Sequence, residues 1–372
     1  MTDTSPAGND IGQRPKVLVA GALGAVGSLV AELIHNHPYL TLAAITARDT
    51  QDAETPIGKR LHEFYGEHRV DLELQALDDL NLDEFDAAVV AYPAGPASTL
   101  AKKLLDAGVK VVDSCAAFRF EDVATYEEWY APHEEPDLNK EAVYGLPEVN
   151  RERLRNASLV GNPGCYPTAS VLALAPLARA GLIEDVVIDA KSGVSGAGKR
   201  GENTPEFVGT FDSMKPYGVP GHKHEPEIRE QLHFLGYDGS LCFVPHLVPI
   251  DQGELVSCYV KPVHHADLNQ LKELYEDAYA AEPFVEFASK LPASREVQRT
   301  NICRLFLTMD KRQERILVFA TIDNLWKGGA SQAVQNLNLI LGLPEHSGID
   351  AALALGSNKP QVMPLDRPSV SA

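Results

Sequence analysis

One cysteine stands in a segment whose residue types suit nucleophilic chemistry. Cys165 lies within Gly161-Asn-Pro-Gly-Cys-Tyr-Pro-Thr168, and the Ala- and Leu-rich run 169–180 predicts a helix that ends before Gly181. Cys165 would then occupy the first turn of that helix, where free N–H groups and partial positive charge favour a thiolate. A thiol with the ordinary pKa of about 8.5 is only roughly 3% ionised at pH 7, so we expect a lowered pKa. The alternative is a buried structural cysteine.

Two histidines, His222 and His224, precede a helix predicted over Glu227–Phe234. Their i, i+2 spacing is compatible with metal ligation, but no carboxylate or cysteine at ligand spacing completes a set, so we predict no metal site. An acid or base that works beside a cysteine is the better interpretation of this pair.

A loop of small residues offers a second polar feature. Ser192–Arg200 follows a strand predicted over Asp185–Ser192 and ends in two basic residues, Lys199 and Arg200. Backbone N–H groups, hydroxyls and positive charge in such a loop suit an anion. A flexible surface loop is the alternative interpretation.

The elements that position these residues begin with a predicted dinucleotide-binding turn. A strand over Lys16–Ala20 leads into glycines spaced G-x-x-G-x-x-G and then into a helical run over Ser28–His35. Glycines there let the backbone approach a pyrophosphate at the helix N-terminus. We assign cofactor contact to Gly21, Ala22, Leu23, Gly24, Ala25, Val26 and Gly27.

The next strand, Leu40–Thr46, carries information about the cofactor. It is followed by Arg48 where an NAD-binding chain tends to place an acidic residue, and a basic side chain suits a 2′-phosphate. The sequence therefore favours NADP over NAD. A solvated surface charge is the alternative for Arg48.

Alternating strands and helices continue through the first half of the chain. Strands are predicted over Ala87–Ala91 and Val109–Asp113, with a helix over Pro96–Ala107 between them, and units of this kind imply a parallel, doubly wound sheet. The loop Tyr92–Gly95, which includes Pro93, follows a strand at the edge where such sheets bind ligands. We expect the acidic segment Glu121–Leu138 to be an irregular surface excursion.

The second half has a different pattern, which predicts an α+β domain with a largely antiparallel sheet. Strands with hairpin-like spacing and one amphipathic helix are expected, over Leu241–Pro245, Glu254–Val260, Ala266–Ala281 (the helix), Arg304–Met309 and Ile316–Ile322. A last helix, Ala330–Leu341, is free to pack back on the first domain.

Composition limits the classes of partner. The 372 residues are 44% hydrophobic and carry a net charge of −19, which argues against nucleic acid and anionic membrane surfaces. Residues 1–14 are polar and lack the apolar core of a signal peptide. The five scattered cysteines favour reduced thiols in the cytoplasm.

Taken together, these motifs resemble one enzyme family, the N-acetyl-γ-glutamyl-phosphate reductases, within a wider group that includes the aspartate-semialdehyde dehydrogenases. The matching blocks follow the family order from about residue 16 to 343. They are the three glycines of 21–27, Tyr144–Glu148, Gly161–Thr168, Lys191–Gly198, His222–Ile228, Phe243–Pro249, Glu282–Val285, Asp323–Gly328 and Gln332–Asn338.

The resemblance implies two domains and an oligomer. A Rossmann-type NADP-binding domain would comprise 15–163 and 325–345, and a catalytic and dimerisation domain 164–324. Residues 1–14 and 346–372 would be tails. A homodimer or homotetramer would act on a small-molecule acyl phosphate.

The same resemblance implies reduction of N-acetyl-L-glutamyl 5-phosphate to its semialdehyde, in arginine biosynthesis. Cys165 would form a thioester, which accepts hydride far better than a carboxylate does. A histidine would relay protons: His224 oriented by Glu227 is preferred, with His222 as its rival. Residues implied to bind substrate are Arg119, Asn162, Ser195, Gly196, Gly198 and Lys199, and Asn324 would lie near the nicotinamide.

Some positions depart from the family pattern. Cys115 and Ala117 stand where the family has serine and an acidic residue, and Gln252 stands where it has arginine. These departures motivate a related reductase of aminoadipyl or aspartyl phosphate as an alternative. A third hypothesis, which is not enzymatic, is a nucleotide-binding paralogue without catalysis.

Overall fold

The chain folds around two sheets, each with helices packed against it. The computed structural model describes residues 14–47, 55–66, 68–92, 94–197 and 212–349. Four residues that the sequence assigns to ligand binding lie outside these ranges: Arg48, Pro93, Gly198 and Lys199.

The first sheet is parallel throughout its described strands. In chain order these are β1 (Lys16–Ala20), β2 (Thr41–Thr46), β3 (Leu74–Gln75), β4 (Ala87–Val90), β5 (Lys110–Asp113), β6 (Val143–Tyr144) and β7 (Leu159–Gly161). Their spatial order is β3-β2-β1-β4-β5-β7-β6. Every residue of β4 is buried because helices cover both faces, as the uninterrupted Ala/Val sequence predicts. The predicted doubly wound sheet is confirmed.

Helices of this half are α1 (Ala25–His35), α2 (His62–Tyr65), α3 (Ala94–Asp106), α4 (Val123–Trp129) and α5 (Pro147–Leu154). The helix α1 begins three residues before the predicted Ser28, because its first turn carries glycine and alanine rather than a periodic apolar pattern. The acidic segment is more ordered than predicted. Asp122 caps α4 by accepting the N–H groups of Ala124 and Thr125, and Tyr126 is buried.

The second sheet is mixed and mostly antiparallel. Its strands are β8 (Ile183–Ser192), β9 (Lys215–Pro216), β10 (Ser240–Leu247), β11 (Glu254–Pro262), β12 (Val285–Phe287), β13 (Cys303–Asp310) and β14 (Arg315–Ile322). Their spatial order is β12-β13-β14-β11-β8-β10-β9. Within the described residues, the α-helices of this half are α6 (Cys165–Arg179), α7 (His224–Phe234) and α8 (Leu268–Tyr279).

One predicted hairpin relation in this sheet is wrong. The strands β13 and β14 do form an antiparallel hairpin, but β10 and β11 do not pair, because β8 lies between them, antiparallel to β11 and parallel to β10. The chain leaves β8, passes through α7 and returns to the same end of the sheet, which is the geometry of a crossover. Spacing along the sequence does not distinguish this crossover from a hairpin.

The last helix of the described residues returns to the first sheet. A wide turn at Trp326–Ala330 leads into α9 (Ser331–Ile340), whose Ala333 and Leu337 share a core with Val17 and Val19 of β1. Among the described residues, no helix is both long and apolar enough to cross a membrane.

Candidate active site

Cys165 is the first residue of α6, as the sequence predicts. Gly164, at the N-cap, has extended backbone, and its carbonyl accepts both the N–H and the hydroxyl of Thr168 at 3.0 and 2.9 Å. No side chain in the described part of the chain caps this helix, and residues 166–178 are all buried. Cys165 keeps part of its surface accessible at the start of a buried helix.

The wide turn lies directly against the cysteine. A Cβ atom added at Gly328 would come within 2.6 Å of the Cys165 Cβ. On the next residue, a Cβ added to Gly329 would lie 3.4 Å from the Val26 side chain in α1. The turn therefore joins the predicted cofactor site to the predicted nucleophile, and Gly328 is a residue that sequence reasoning did not assign.

Glu227 holds the backbone before the cysteine. Its Oε1 accepts the N–H of Gly164 and the hydroxyl of Tyr144, both at 2.9 Å, and its Oε2 lies 3.4 Å from Nη1 of Arg119. The expected role of orienting His224 is contradicted, because the imidazole Nδ1 of His224 has no hydrogen-bond partner among the described residues. Glu227 positions Gly164 instead.

His224 packs on the same glycine from the other side. A Cβ added to Gly164 would lie 2.5 Å from Nε2 of His224. Burial, followed by the nearby His222, Arg119 and Lys223, holds the pKa of His224 well below its ordinary value. The ring is therefore a neutral imidazole at pH 7.

His222 stands one ring further from the cysteine. Its centroid lies 4.8 Å from that of His224, and its Nδ1 accepts the backbone N–H of His224 at 3.1 Å. Burial and the adjacent Lys223 lower the pKa of His222 to about 4. Both rings pack edge-on against Tyr166. Of the two, His224 is the one in contact with the cysteine's own turn.

The pKa of the Cys165 thiol is raised rather than lowered as expected. Burial and the carboxyl of Glu254 raise it, outweighing the Tyr166 backbone and the positive charge of Arg119, which lower it. Glu254 is fully buried, and burial raises its own pKa to about 8. The sequence offered no signal that Glu254 acts on Cys165, because Glu254 begins β11 and Cys165 begins α6, far apart in the chain.

Two cations, Arg119 and Lys223, interact electrostatically with the Cys165 thiol. Arg119 donates through Nε to the Asn162 carbonyl at 2.7 Å, and Lys223 places Nζ 5.6 Å from the Tyr130 ring centroid. The pKa of Lys223 is lowered by burial and by Arg119, while Glu227 and Cys165 raise it. The buried hydroxyls of Ser114 and Tyr130, in this region, have no hydrogen-bond partner among the described residues. Lys223, Ser114 and Tyr130 are further candidates that sequence reasoning missed.

Asn162 is committed to the protein rather than free for substrate. Its amide donates to the Gly329 carbonyl at 3.0 Å and accepts from Asn336 at 2.9 Å. The side chain therefore ties the end of β7 to the wide turn and α9. We therefore interpret Asn162 as a residue that positions the backbone around the site, in place of the direct substrate contact that the sequence predicts.

Ser195 and Asn324 are joined to each other. The Ser195 hydroxyl donates to the Asp251 carbonyl at 2.7 Å and accepts from the Asn324 amide at 3.0 Å. The Asn324 oxygen accepts the N–H of Gly253 at 2.7 Å. This bond set fixes the loop after β8 against the loop before β11, while Gly196 is exposed beside it.

The glycine turn, Gly21–Gly27, fits a dinucleotide by its close approaches. A Cβ at Gly21 would lie 2.6 Å from the Ala91 carbonyl, and one at Gly27 would lie 2.2 Å from the Gly21 carbonyl. Gly24, at the N-cap of α1, meets nothing closer than 3.5 Å. No described side chain caps α1, and its first turn holds no acidic residue.

This turn lies where the strand order of the first sheet reverses, between β1 and β4. Open N–H groups at a helix start there suit a pyrophosphate. The intervening Ala22 is buried, and Leu23, Ala25 and Val26 are half-buried. Among the described residues, no cluster of three or more potential ligands could hold a metal ion.

Two family descriptions match this chain. Residues 16–157 match "Semialdehyde dehydrogenase, NAD binding domain", and residues 165–324 match "Semialdehyde dehydrogenase, dimerisation domain". The fold is also that of an aspartate semialdehyde dehydrogenase II from Vibrio cholerae, with a TM-score of 0.68 at 19% identity over 89% of this chain and 99% of the other. A Candida albicans aspartate semialdehyde dehydrogenase with NADP gives 0.64 at 16% identity, over 89% and 99%.

Whole-length relatives share one name. A protein of Desulforudis audaxviator named N-acetyl-gamma-glutamyl-phosphate reductase is 44% identical over 343 residues, covering 90% of this chain and 97% of the relative. One of Herminiimonas arsenicoxydans with the same name is 42% identical, covering 90% and 97%.

Proposed function

Because the chain belongs to the N-acetyl-gamma-glutamyl-phosphate reductase family, we propose that it reduces N-acetyl-L-glutamyl 5-phosphate to the 5-semialdehyde with release of phosphate. The reductant is NADPH, and the reaction serves arginine biosynthesis. The observation that carries the proposal is Cys165 at the start of α6, held between the ring of His224, the Gly328 backbone and the Glu227-bound Gly164.

The chemistry begins at the cysteine sulfur. The Cys165 thiolate attacks the acyl carbon, an S–C bond forms, and the bond from carbon to the phosphate oxygen breaks with its electron pair leaving on phosphate. The product is a thioester, which is a better hydride acceptor than a carboxylate. NADPH, when bound at the glycine turn, would supply the hydride to this carbon. The hemithioacetal then collapses to the aldehyde and frees the sulfur.

The nearby side chains divide the remaining work. The neutral imidazole of His224 donates a hydrogen bond to the acyl oxygen as charge develops there, a contribution of roughly 10²–10⁴-fold for such proton relays. Arg119 and Lys223 hold the phosphate by charge-assisted hydrogen bonds. The loop after β8, which includes Ser195 and Gly196 and continues to Gly198 and Lys199, completes the phosphate contacts. Asn162 and Glu227 keep this arrangement in place.

The glycine turn and the start of α1 would hold the dinucleotide, and Pro93, which lies outside the described residues, is a further candidate for contact with it. Arg48, outside the described residues, would bind the 2′-phosphate, and Asn324 would contact the nicotinamide. The residues of the turn supply backbone N–H groups and close approach, which is what a pyrophosphate requires. The wide turn touches both Cys165, through Gly328, and Val26 of α1, through Gly329. It would therefore connect the cofactor site with the nucleophile.

We also propose that the active form is a homo-oligomer in the cytoplasm, built first as a homodimer. The outer face of the second sheet carries half-buried apolar side chains, among them Leu255, Phe306 and Phe319. A second copy of that face would cover them. Sedimentation of wild type and Phe319→Lys tests this: the wild type sediments as a dimer or tetramer and the variant as a smaller species.

The test of the reaction itself runs it backwards. NADP⁺ reduction is followed at 340 nm with N-acetylglutamate semialdehyde and phosphate, for wild type and Cys165→Ala. Phosphate-dependent turnover in the wild type that the variant loses supports both the substrate and the covalent route. Turnover that survives in Cys165→Ala removes Cys165 as the nucleophile. Turnover with aspartate or aminoadipate semialdehyde at equal efficiency overturns the choice of acyl group.

A further inference from the structure

One buried ion pair has no part in the reaction described above. Nζ of Lys327, in the wide turn, donates to Oε1 of Glu148 in α5 at 2.6 Å, and both side chains are 0% exposed. The same Nζ donates to Oε1 of Gln335 in α9 at 2.9 Å. The ring centroid of Phe284 lies 5.7 Å from it. Two helices therefore fix the position of the Lys327 ammonium group.

Stability alone gives little reason for this pair. Two buried charges lose their hydration, and an apolar pair of similar volume is often equally stable or more stable. Oε2 of Glu148 is buried without a hydrogen-bond partner among the described residues, so the carboxylate is only partly satisfied. A charge-assisted hydrogen bond does, however, fix direction as well as distance. The pair is therefore better suited to holding a geometry than to adding stability.

The pair belongs to a buried polar network that joins the two halves of the chain. Oε1 of Gln335 also accepts the amide of Asn301 at 2.8 Å, and Asn301 accepts the hydroxyl of Ser331 at 2.7 Å. Asn301 comes shortly before β13 of the second sheet, whereas Ser331 and Gln335 belong to α9, which packs on the first. All three side chains are buried. The network therefore fixes Lys327 relative to both halves.

The wide turn that carries Lys327 has an uncommon backbone. The N–H of Gly328 bonds to the Asp323 carbonyl at 2.9 Å, and that of Ala330 bonds to the Leu325 carbonyl at 2.7 Å, each five residues back. An α-helix closes its hydrogen bonds four residues back. Turns closed five residues back are rare and occur frequently at functional sites. Contacts outside the backbone must therefore favour this form over the commoner one.

The residues that follow Lys327 contact both parts of the proposed site. A Cβ added to Gly328 would lie 2.6 Å from the Cys165 Cβ, and one added to Gly329 would lie 3.4 Å from the Val26 side chain in α1. Consecutive Cα atoms are about 3.8 Å apart. A change of one residue in the register of the turn would therefore displace Gly328 from the space beside Cys165.

We propose that Lys327 is a positioning residue, whose buried pair with Glu148 holds the wide turn in its observed form and so sets the separation between Cys165 and the glycine turn. Both side chains act through Gly328 and Gly329 and are not catalytic residues. The inference rests on the proposed function, because this separation matters only if hydride passes from a dinucleotide at the glycine turn to an acyl group on Cys165.

Two further anchors hold the ends of the wide turn. Oδ1 of Asp323 accepts two backbone N–H groups at its start, at 2.9 and 3.1 Å. The amide of Asn162 donates to the Gly329 carbonyl near its end, at 3.0 Å. Lys327 anchors the middle. Loss of the pair should therefore loosen the turn locally and leave the rest of the fold in place.

The test uses the double variant Lys327→Met/Glu148→Gln. It removes both charges together, so that neither is left buried and uncompensated, and the new amide can donate to Gln335 in place of the ammonium group. Hydrogen–deuterium exchange is measured by mass spectrometry on the ligand-free protein. We expect the peptide that covers 324–331 to exchange at least tenfold faster than in wild type, while the peptides of β1 and β5 keep their wild-type rates.

Separate rates of acylation and reduction give the second readout. Each protein is acylated with N-acetylglutamyl phosphate and weighed, and the acylated protein is then mixed with NADPH and followed at 340 nm. We expect acylation and the Kd for NADPH to stay within threefold of wild type, because the start of α6 and the glycine turn are unchanged. Reduction should be slower by roughly 10–10²-fold, since a misplacement of about 1 Å costs up to that factor. A general loss of structure would impair all three.

The matched control is Arg151→Met/Glu282→Gln. Arg151 lies on α5, as Glu148 does, and pairs with Glu282 just before β12 and with Glu345 after α9. The Arg151 and Glu282 side chains are 22% and 11% exposed. This pair also joins the two halves of the chain, but its partners are not residues of the wide turn. We expect exchange across 324–331 and the reduction rate to stay within threefold of wild type.

Several outcomes overturn the inference. Wild-type exchange across 324–331 in Lys327→Met/Glu148→Gln does so, as does a reduction rate within threefold of wild type. Equal effects in the control variant also overturn it, because any ion pair between the halves would then act in the same way.

If the double variant does not fold, Glu148→Asp decides, since it keeps both charges and shortens the acid by one methylene. Faster exchange across 324–331 together with slower reduction supports the positioning role, and a wild-type value for either contradicts it. Failure of the proposed function is a separate result, namely a wild type without phosphate-dependent turnover whatever the exchange rate of the turn.

Discussion

The helices α1 and α6 begin with almost the same backbone, yet their first turns lie in opposite environments. Gly24 has φ −78° and ψ 158°, and Gly164 has φ −72° and ψ 161°. No side chain among the described residues caps either helix. The start of α1 is open beside Gly24, whereas the start of α6 is enclosed by Glu227, His224 and Gly328.

This difference separates two expectations that rest on helix termini. An open terminus can offer its N–H groups to an anion, which is what we propose for the glycine turn. At an enclosed terminus, the helix dipole is worth at most about 2 kcal/mol, or roughly 1.5 pKa units. Burial shifts a pKa by up to about 3–5 units. Burial and Glu254 therefore raise the pKa of Cys165 although the residue begins a helix.

We expect the largest effect on stability from a change at Glu227, which holds the enclosed start of α6 through the N–H of Gly164. Glu227→Gln removes the negative charge that faces the buried Arg119, whose side chain is 10% exposed. We expect a loss of about 3 kcal/mol or more in the free energy of unfolding, because an uncompensated buried cation remains. Urea unfolding measures this change.

The matched control lies on the same helix. Glu225 pairs with Arg229 at 3.0 Å on the partly exposed face of α7, so Glu225→Gln should change stability by less than about 1 kcal/mol. Equal losses in the two variants would show that Glu227 does not anchor the turn.

At the open start of α1, substitutions of two glycines should have different effects, one on stability and the other on NADPH affinity. In Gly27→Ala the new Cβ would lie 2.2 Å from a backbone oxygen, and we expect a loss of about 1–3 kcal/mol in stability, as for overpacked cores. In Gly24→Ala the nearest atom is 3.5 Å away, so the fold should persist. That methyl would meet the pyrophosphate, and NADPH affinity should fall about tenfold, which corresponds to about 1.4 kcal/mol.

Thermal unfolding and NADPH fluorescence titration separate the two variants. A Gly24→Ala protein that binds NADPH as tightly as wild type would place the pyrophosphate elsewhere.

A third prediction concerns the acid beside the thiol. In the unfolded chain Glu254 has a pKa of about 4.3, and in the fold burial raises it to about 8. The folded state therefore keeps a proton that the unfolded state loses, so this stabilisation is complete below about pH 4 and is lost as pH rises to about 8. Relative to wild type, Glu254→Gln should gain stability over that range, by a few kcal/mol in all.

Urea unfolding at several pH values measures this difference. Glu230→Gln should gain less and level off earlier, since the pKa of Glu230 is raised only to about 7. A difference between Glu254→Gln and wild type that stays constant from pH 5 to 9 would argue against a protonated Glu254.

The smallest effect is expected from a single hydroxyl. Tyr144→Phe removes one hydrogen bond to Glu227, which should cost about 1–2 kcal/mol in stability and less than tenfold in kcat, because Gly164 still holds the carboxylate. Tyr275→Phe removes a buried hydroxyl bonded to the Ala173 carbonyl. It should cost similar stability with kcat unchanged. Equal effects on kcat would remove Tyr144 from the anchoring network.

The features that local pattern determines were predictable. The apolar strands, the glycine turn and the helix that begins at Cys165 follow from runs, spacing and the Gly-Asn-Pro-Gly segment. The parallel pairing of β10 with β8 was not, since it depends on the path through α7.

The hydrogen-bond partners of the site residues could not be predicted from the sequence either. Glu227 and His224 are close in sequence, but the first accepts the N–H of Gly164, and Nδ1 of the second has no hydrogen-bond partner among the described residues. Glu254 raises the pKa of Cys165 from a position 89 residues along the chain, and strand pairing rather than local sequence fixes where Glu254 lies. Ser195 and Asn324 carry polar groups of the expected kind, but these groups bind each other. Clustered polar residues in the sequence indicate that a site exists. They do not indicate which contact each side chain makes.

The central claim is that Cys165 carries the acyl group, and intact-mass measurement tests it most directly. Wild type and Cys165→Ala are mixed with N-acetylglutamyl phosphate in the absence of NADPH, quenched in acid and weighed. We predict one N-acetylglutamyl adduct on the wild type, lost on treatment with hydroxylamine or with NADPH, and none on the variant. An adduct of equal yield on Cys165→Ala, or a wild type that turns over without ever carrying one, would contradict the account.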